Sequence, residues 1–532
     1  MSWPAPFKAW LEAPYLPRFA VRGLDVPFAG ASWQLPSSYT KADSHDDMSG
    51  NPIIAAQGIR QTSPERLDTS RWVCAGGEWQ VTLAVAPDSS AGQWLTNLRR
   101  GQIFQVLAGP HTAAEVDLEP IALGVLYNVR ISSAQRGMVL TLRSIMSAFG
   151  SRQSNLTGSL PLFADIDDPS TRRQTTISGT AYTVGDTSLE VVSTTGFEED
   201  SANAGVRLLL VDPGGTPGTI SGAAFYLKAT GTATGPVRFT GVGTTNLYGT
   251  TRATAAIGSP VYQVPFVYGH PIDVAQRFAQ STGAGTSTFH DTLPSPWGLN
   301  LPGDCFDTSD ASLEKSNATA TSGTYELEVL ATQQEQNPLA WMQNWLAPHG
   351  ITWSLRQGRL TLRAPHAPGR APVRTGVVIT DNDITSFALD AFDPAQIPYR
   401  RVRYNDATGT SVVTTSTSAA TTLPYNDELT TNFPHLWSNT SNSANGVNLR
   451  LLHYRRNVGS ILAITCAGWR LAQLCAGDDC EVTSSYFLGR EYNGSTAITS
   501  RPYLVLSVAV DWTVGAPSVQ LVLMELPDVA PV

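Results

Sequence analysis

The feature that most constrains this chain is a hairpin pattern that occurs twice. Between Tyr503 and Leu526, Leu504, Leu506, Val508 and Val510 alternate with other residues, the period of a strand with one buried face. Gly515 and Pro517 fall in a reversal at Thr513–Ser518, and Val519, Leu521 and Leu523 alternate on the way back. Between Gly124 and Ser144, Val125, Tyr127, Val129 and Ile131 alternate, Gln135-Arg136-Gly137 turns the chain, and Met138, Leu140 and Leu142 return. Laying Val129 on Val508 brings Ile131 onto Val510. Leu142 then falls on Leu523 once the later turn is given two more residues. An internal repeat of this kind predicts two related β-domains, each closed by the same hairpin.

Length and composition agree with such a plan. A chain of 532 residues has room for roughly two to four domains. Hydrophobic residues make up 42%, enough for real cores, while charged residues are only 15%. Ser, Thr, Ala and Gly fill the difference, which suits a β-rich protein with many turns and large subunit contacts. The net charge is −9 and no basic stripe is present, which argues against tight binding to nucleic-acid phosphates. The only lysines are Lys8, Lys41, Lys228 and Lys315, and the arginine bias reads as coding bias of a GC-rich genome. Five cysteines, an odd and sparse set, indicate no disulfide framework and a reducing site of synthesis. No apolar run reaches spanning length, and Met1–Phe19 carries aromatics and prolines where a signal peptide has a basic cap and an apolar run. The expectation is a product made and kept in a cytoplasm until released by other means.

Taken in order, residues 1–18 form an N-terminal arm with Trp3, Phe7, Trp10 and Tyr15. Aromatics at that density dock on something, either their own domain or a neighbour. Residues 19–150 read as the first β-domain, with a polar loop at 37–50 and a short helix at 92–100. A linker follows, and 174–265 reads as an inserted small β-module with Gly-rich turns. Residues 266–375 read as an α/β connecting domain. Its predicted helices are His270–Thr282 and Asn337–Pro348, and its predicted hairpin turns at Arg356–Gly358. Residues 376–532 read as the second β-domain, interrupted by a long Ser/Thr/Asn loop at 405–445. Within it, Ile461, Ile464, Gly468, Leu471 and Cys475 fall at helical spacing, which predicts a helix over Asn457–Cys475 before a strand at Glu481–Leu488.

Catalytic signatures are lacking. None of the four lysines lies in a Gly-rich phosphate cradle, there is no His-Glu-x-x-His or Gly-x-Ser-x-Gly, and Gly241-Val242-Gly243 has no third glycine. Cys466, Cys475 and Cys480 are too widely spaced for a zinc site, and buried or free thiols are expected. Asp43, His45, Asp46 and Asp47 are the densest set of cation ligands, in a loop more simply read as solvated. Glu198, Glu199 and Asp200 are adjacent, not facing across a sugar. The sequence therefore names no catalytic, cofactor-binding or metal-ligating residue, and the expectation is no enzyme.

Several stretches resemble tail proteins of tailed bacteriophages. They are His270-Pro-Ile-Asp-Val to Gly285, Phe289-His-Asp-Thr-Leu-Pro to Pro302, the helix and hairpin that follow, Ile379-Thr-Asp-Asn-Asp-Ile384, and Arg401-Val-Arg-Tyr404. The late segments are similar to the C-terminal part of baseplate or tail-tip hub proteins, and Gly241–Val261 resembles small β-modules of phage tails. The resemblance covers about half of the chain. It implies a mainly β, multidomain chain with a few short helices. Its parts would be two tail-tube-like β-barrel domains, an inserted small β-module and an α/β segment. It further implies a homotrimer that presents six similar barrels, adapts a sixfold tail tube to a threefold tip and lines a channel for DNA and tape-measure protein. Tail tube or distal tail protein would lie above and tip or fibre proteins below. The location implied is the virion tail, assembled in the host cytoplasm. The alternative is a host-surface adhesin that stacks sugars on aromatics such as Tyr248, Tyr262 and Trp437. A cell-wall hydrolase is a third class.

Overall fold

The computed structural model describes residues 3–12, 17–24, 38–39, 53–69, 73–84, 98, 100–110, 113, 117–132, 137–145, 174–197, 207–217, 220–244, 246, 250–264, 266–269, 272, 275–276, 279, 301–307, 309, 327–330, 346, 350–364, 376–390, 399–405, 411–415, 426–432, 460–486, 498–512 and 517–526. The chain is mainly β and divides among several sheets, the largest with thirteen strands.

Two units of six strands make up most of that sheet. The first comprises, in chain order, Pro17–Gly23, Ile53–Asp68, Val73–Ala84, Ile103–Pro110, Glu119–Ser132 and Gly137–Ser144. The second comprises Val378–Thr380, Ile384–Asp390, Ile461–Ala467, Asp479–Ser484, Ile498–Asp511 and Ser518–Glu525. Numbered within each unit, the spatial order is 1-4-5-6-3-2 in both.

The likeness extends to single residues. Leu126 pairs with Leu142 and Val129 with Leu140; Val505 pairs with Leu523 and Val508 with Leu521. A bulge interrupts each hairpin at the same place, at Tyr127 in one and Leu506 in the other. Ala84 faces Gly137 and Trp79 faces Leu142, as Ala467 faces Ser518 and Leu462 faces Leu523. The repeat read from the sequence is thus a repeat of register, because a bulge fixes which side chains face inward on either side of it. One difference is plain: Pro17–Gly23 runs antiparallel to Ile103–Pro110, whereas Val378–Thr380 runs parallel to Asp479–Ser484.

A single apolar core serves both units, with Val81, Val106 and Leu140 from the first and Leu462, Val505 and Leu521 from the second. The N-terminal arm joins it. Residues Ala5–Glu12 form a helix that buries Phe7, Trp10 and Leu11. The rings of Trp3, Phe7, Trp10, Trp469 and Trp512 follow one another at centroid separations of 4.8, 5.2, 5.4 and 5.2 Å. Of the two docking alternatives for the arm, the described part takes its own chain.

The 174–264 region has a core of its own, including Tyr182, Leu189, Leu209, Phe225 and Phe239. It carries a four-stranded sheet of Gln174–Thr176, Arg207–Val211, Phe225–Ala229 and Pro260–Val264, and a three-stranded sheet of Ser188–Glu190, Gly231–Thr234 and Val237–Thr240.

The expected hairpin is present as Thr352–Arg356 and Arg359–Arg363, turning on Gln357 and Gly358, both at positive φ. Within the first expected helix, Ile272, Ala275, Gln276 and Ala279 are helical, and Leu346 is helical in the second.

Two expectations fail. In its described part, residues 460–475, the helix expected over Asn457–Cys475 is not found: Ile461–Ala467 is a strand that alternates half-buried and buried residues, and Arg470–Gln473 is a single 3₁₀ turn. The apolar spacing fits both periods over so short a run. The β-branched Ile461, Ile464 and Thr465 favour the strand, and Gly468 at φ 76° ends it. The 405–445 segment is not all loop. Ser411–Thr415 and Asn426–Asn432 flank Tyr399–Asn405 in a three-stranded sheet, because Thr and Val in short runs form strands even where Ser and Asn dominate. The expected linker at 150–173 and nearly all of the 37–50 loop and the 92–100 helix lie outside the described residues.

Candidate assembly surface

Among the described residues the two units pair at one short ladder. Glu65 and Arg66 of the first pair with Val508 and Ser507 of the second. Around this ladder the Ser507 hydroxyl donates to the Glu65 carbonyl at 2.9 Å, and the Val510 N–H donates to Gln61 Oε1 at 2.9 Å.

The Thr352–Arg363 hairpin is wedged into the same joint and touches both sides. Towards the first unit, the Leu355 N–H donates to Glu65 Oε2 at 3.0 Å, Gln105 Nε2 donates to the Gly358 carbonyl at 2.9 Å, and the Cys74 N–H donates to Thr352 Oγ1 at 3.1 Å. Towards the second, Ser354 Oγ donates to the Ala476 carbonyl at 2.7 Å, and Arg363 Nε lies 3.1 Å from Asp478 Oδ1 with both side chains buried. Asp478 Oδ2 also accepts the Cys475 N–H at 3.0 Å, which offsets part of the cost of burying its charge. Trp3 closes the top, donating its N–H to Gln357 Oε1 and its indole N–H to the Pro120 carbonyl, each at 3.0 Å.

A cavity of about 60 Å³ lies at the joint, with Gln61, Glu65, Trp79, Gln357, Cys475 and Trp512 among its lining. Burial raises the Glu65 carboxyl to about 7, against the pull of the Leu355 N–H. Burial, with Asp478 beside it, pushes the Cys475 thiol up to about 12. Burial, with Glu65 as the next cause, sends Cys74 well above its ordinary value. Thiols held this high stay protonated at neutral pH and make poor nucleophiles. What the arrangement does chemically is hold three segments together through buried, directional bonds.

On the outer side of the first unit, Tyr127 and Ile131 are exposed. Arg143 and Arg100 lie over the Tyr127 ring at 3.3 and 4.7 Å from its centroid, and Arg143 is 3.5 Å from Glu78. In the second unit, Phe387 on the outermost strand stacks on Tyr486, with centroids 6.4 Å apart.

The residues singled out in the sequence form no metal site among the described residues. Asp43, His45, Asp46, Asp47, Glu198, Glu199, Asp200, Tyr248 and Trp437 lie outside the described residues. Tyr262 is fully buried between its ladder neighbours, so the sugar-stacking expectation fails for it. Cys466, Cys475 and Cys480 are buried thiols, as are Cys74 and Cys305. Among the described residues no group of three or more His, Cys, Asp or Glu is placed to hold a metal ion, and no helix is long and apolar enough to cross a membrane. Glu65, Arg363 and Asp478, buried charged residues of the joint, carry no sequence signal, because a lone charge does not announce its burial.

No family model matches the chain, and no curated protein matches it. Among solved structures it is similar to a tail protein from Neisseria meningitidis, at 9% identity and TM-score 0.38, over 96% of this chain and 97% of that one. It is similar to the 43 kDa tail protein of prophage MuSo2 from Shewanella oneidensis, at 8% identity and TM-score 0.37, over 97% and 98%. A third is the c3393 protein of E. coli, described as a component of the type VI secretion system with structural similarity to T4 bacteriophage tail proteins gp27 and gp5. It matches at 6% identity and TM-score 0.35, over 90% of this chain and 77% of that one.

Proposed function

We propose that this chain is a structural, non-enzymatic virion protein, the hub of a bacteriophage tail tip or baseplate. The observation that carries the reading is the six-stranded unit built twice in one chain with the same order, register and bulges. Three copies of such a chain supply six near-equivalent units, the number needed to match a sixfold tube to a threefold tip. Residues 19–150 and 376–532 are the two tail-tube-like domains of this proposal, 174–265 an inserted module and 266–375 the connector. The sequence resemblances at 270–302 and 379–404 support the same reading.

The trimer encloses a channel for DNA and tape-measure protein, with the tail tube above and tip or fibre proteins below. A chain of net charge −9 offers DNA no sink of positive charge, so transit proceeds without specific binding. Assembly takes place in the host cytoplasm and the protein ends in the virion. The test is stoichiometry: the mass of the purified assembly, and the copy number per particle, are expected to be multiples of three. A lumen lined mainly by arginines would contradict the transit argument.

A further inference from the structure

Glu65 stands where three segments of the joint come together. Its backbone pairs with Val508 in the ladder between the units, and its carbonyl accepts the Ser507 hydroxyl. Its Oε2 accepts the Leu355 N–H of the wedged hairpin. The other carboxyl oxygen, Oε1, is buried and has no hydrogen-bond partner among the described residues, in a side chain only 7% exposed. A buried oxygen without a partner destabilises the fold, and far more as part of an anion than as part of a neutral acid.

Glu65 borders the cavity of the joint, and so does Trp512, whose Nε1 is a second buried polar atom without a partner among the described residues. Gln61 and Gln357 bring their amides to the same wall, while Leu474 and Val508 are apolar. The oxygens of both amides already accept one bond, from the Val510 and Trp3 N–H groups, and each keeps a lone pair. At about 60 Å³ the cavity has room for about two water molecules at liquid density, a size for water and not for an organic ligand.

We propose that Glu65 is a proton-operated latch between the two units: as a neutral acid it keeps the ladder and the hairpin closed on one another, and as an anion it draws water into the cavity and loosens them. The neutral acid has an O–H to offer the amide oxygens. The carboxylate has none and needs donors instead. Water entering between the units supplies them, and gives the Trp512 indole N–H an acceptor as well.

The charges around Glu65 leave burial in command. Cys74, on its own hairpin, faces it as a protonated thiol, and Cys475 stands in the same surroundings beside Asp478, Arg363 and Arg356, of which the Arg363–Asp478 pair is mutually neutralised. Glu78, further along the hairpin, is taken by Arg143, and Arg66 is exposed. Ser507 and Val508 across the ladder carry no charge. The Leu355 and Ser354 donors favour the anion but are outweighed by burial, which holds the carboxyl at about 7 against 4.5 without it. The stabilisation is therefore full below 4.5 and is lost as pH rises through 7.

The test is hydrogen–deuterium exchange of the full chain at pH 6 and pH 8, each rate taken relative to an unstructured amide at the same pH. Two amides that bond across the joint but not to the carboxyl report on it, Val510 to Gln61 and Cys74 to Thr352. Leu209, in the separate core of the inserted module, is the internal reference. Protection of Val510 and Cys74 is expected to fall about tenfold from pH 6 to pH 8, with that of Leu209 unchanged. In Glu65→Gln, and in Glu65→Met should the first not fold, protection is expected to be equal at the two pH values. Flat protection in the natural chain, an equal fall at Leu209, or a fall that persists in the variants overturns the latch. The first two outcomes need no variant, and none of the three touches the hub reading.

Discussion

Set side by side, the closing hairpins of the two units show how much a shared register leaves undecided. Arg143 and Glu78 in the first correspond to Met524 and Ile461 in the second, and Tyr127 corresponds to Leu506. The second hairpin is covered within its own chain and is apolar at these positions. The first faces water and carries an ion pair with an aromatic ring under two guanidinium groups. Backbone pairing is the same, so the side chains were set by what lies against each hairpin, not by its place in the sheet. A surface left in water keeps charge; one covered as the chain folds can discard it.

Five measurements sharpen or break that contrast. The largest effect is expected from Asp478→Ala, which strands the buried Arg363 guanidinium and is expected to cost about 4 kcal/mol in chemical unfolding. A loss under 1 kcal/mol would mean that the joint between the units is wet. Next is Glu65. Its carboxyl holds a proton up to about 7 in the folded chain but only to about 4.5 in the unfolded one. The folded chain therefore binds the extra proton between these values. The stabilisation is full below 4.5, is lost as pH rises through 7, and stays lost above it. Glu65→Gln keeps the shape without the charge and is expected to gain about 3 kcal/mol on the wild type between those limits; parallel pH curves would refute the burial.

Val510→Asp places a carboxylate at the joint, where Val510 is 9% exposed and its N–H donates to Gln61 of the first unit, and is expected to cost about 2 kcal/mol. Gly358 sits at φ 63°, with Ile121 N and Pro120 C 2.8 Å from where a Cβ would stand, so Gly358→Ala is expected to cost about 1.5 kcal/mol. Smallest is Ile131→Asp, the mirror of Val510→Asp, which is expected to leave the stability of the single chain within about 0.5 kcal/mol. Equal losses at 131 and 510 would erase the difference between the units.

The repeat was legible because two long hairpins alternate without interruption, and laying Val129 on Val508 matches the observed pairing residue for residue. The bulges were not legible: nothing at Tyr127 or Leu506 announces an extra residue. The sequence alternation put Tyr127 and Ile131 on a buried face, and the structure exposes them, since the strand that buries their counterparts is missing from their own edge among the described residues. The Ile461–Ala467 strand was read as helix because seven residues are too few to separate the two periods. The joint was invisible because its members, Glu65, Ser354, Arg363 and Asp478, come together from distant parts of the chain, and only folding makes them neighbours.

The two hydrogen bonds of Trp3 reach Pro120 and Gln357, and its aromatic row ends on Trp469 and Trp512. The Ala5–Glu12 helix is therefore made well before Trp469, the ring that Trp10 packs against, and settles only after it. Until the second unit exists, Trp3 has its Pro120 partner, but Trp10 lacks the Trp469 ring. Burial of Trp10 waits on the second unit, and a product cut short of Trp469 leaves that indole without the ring it packs against.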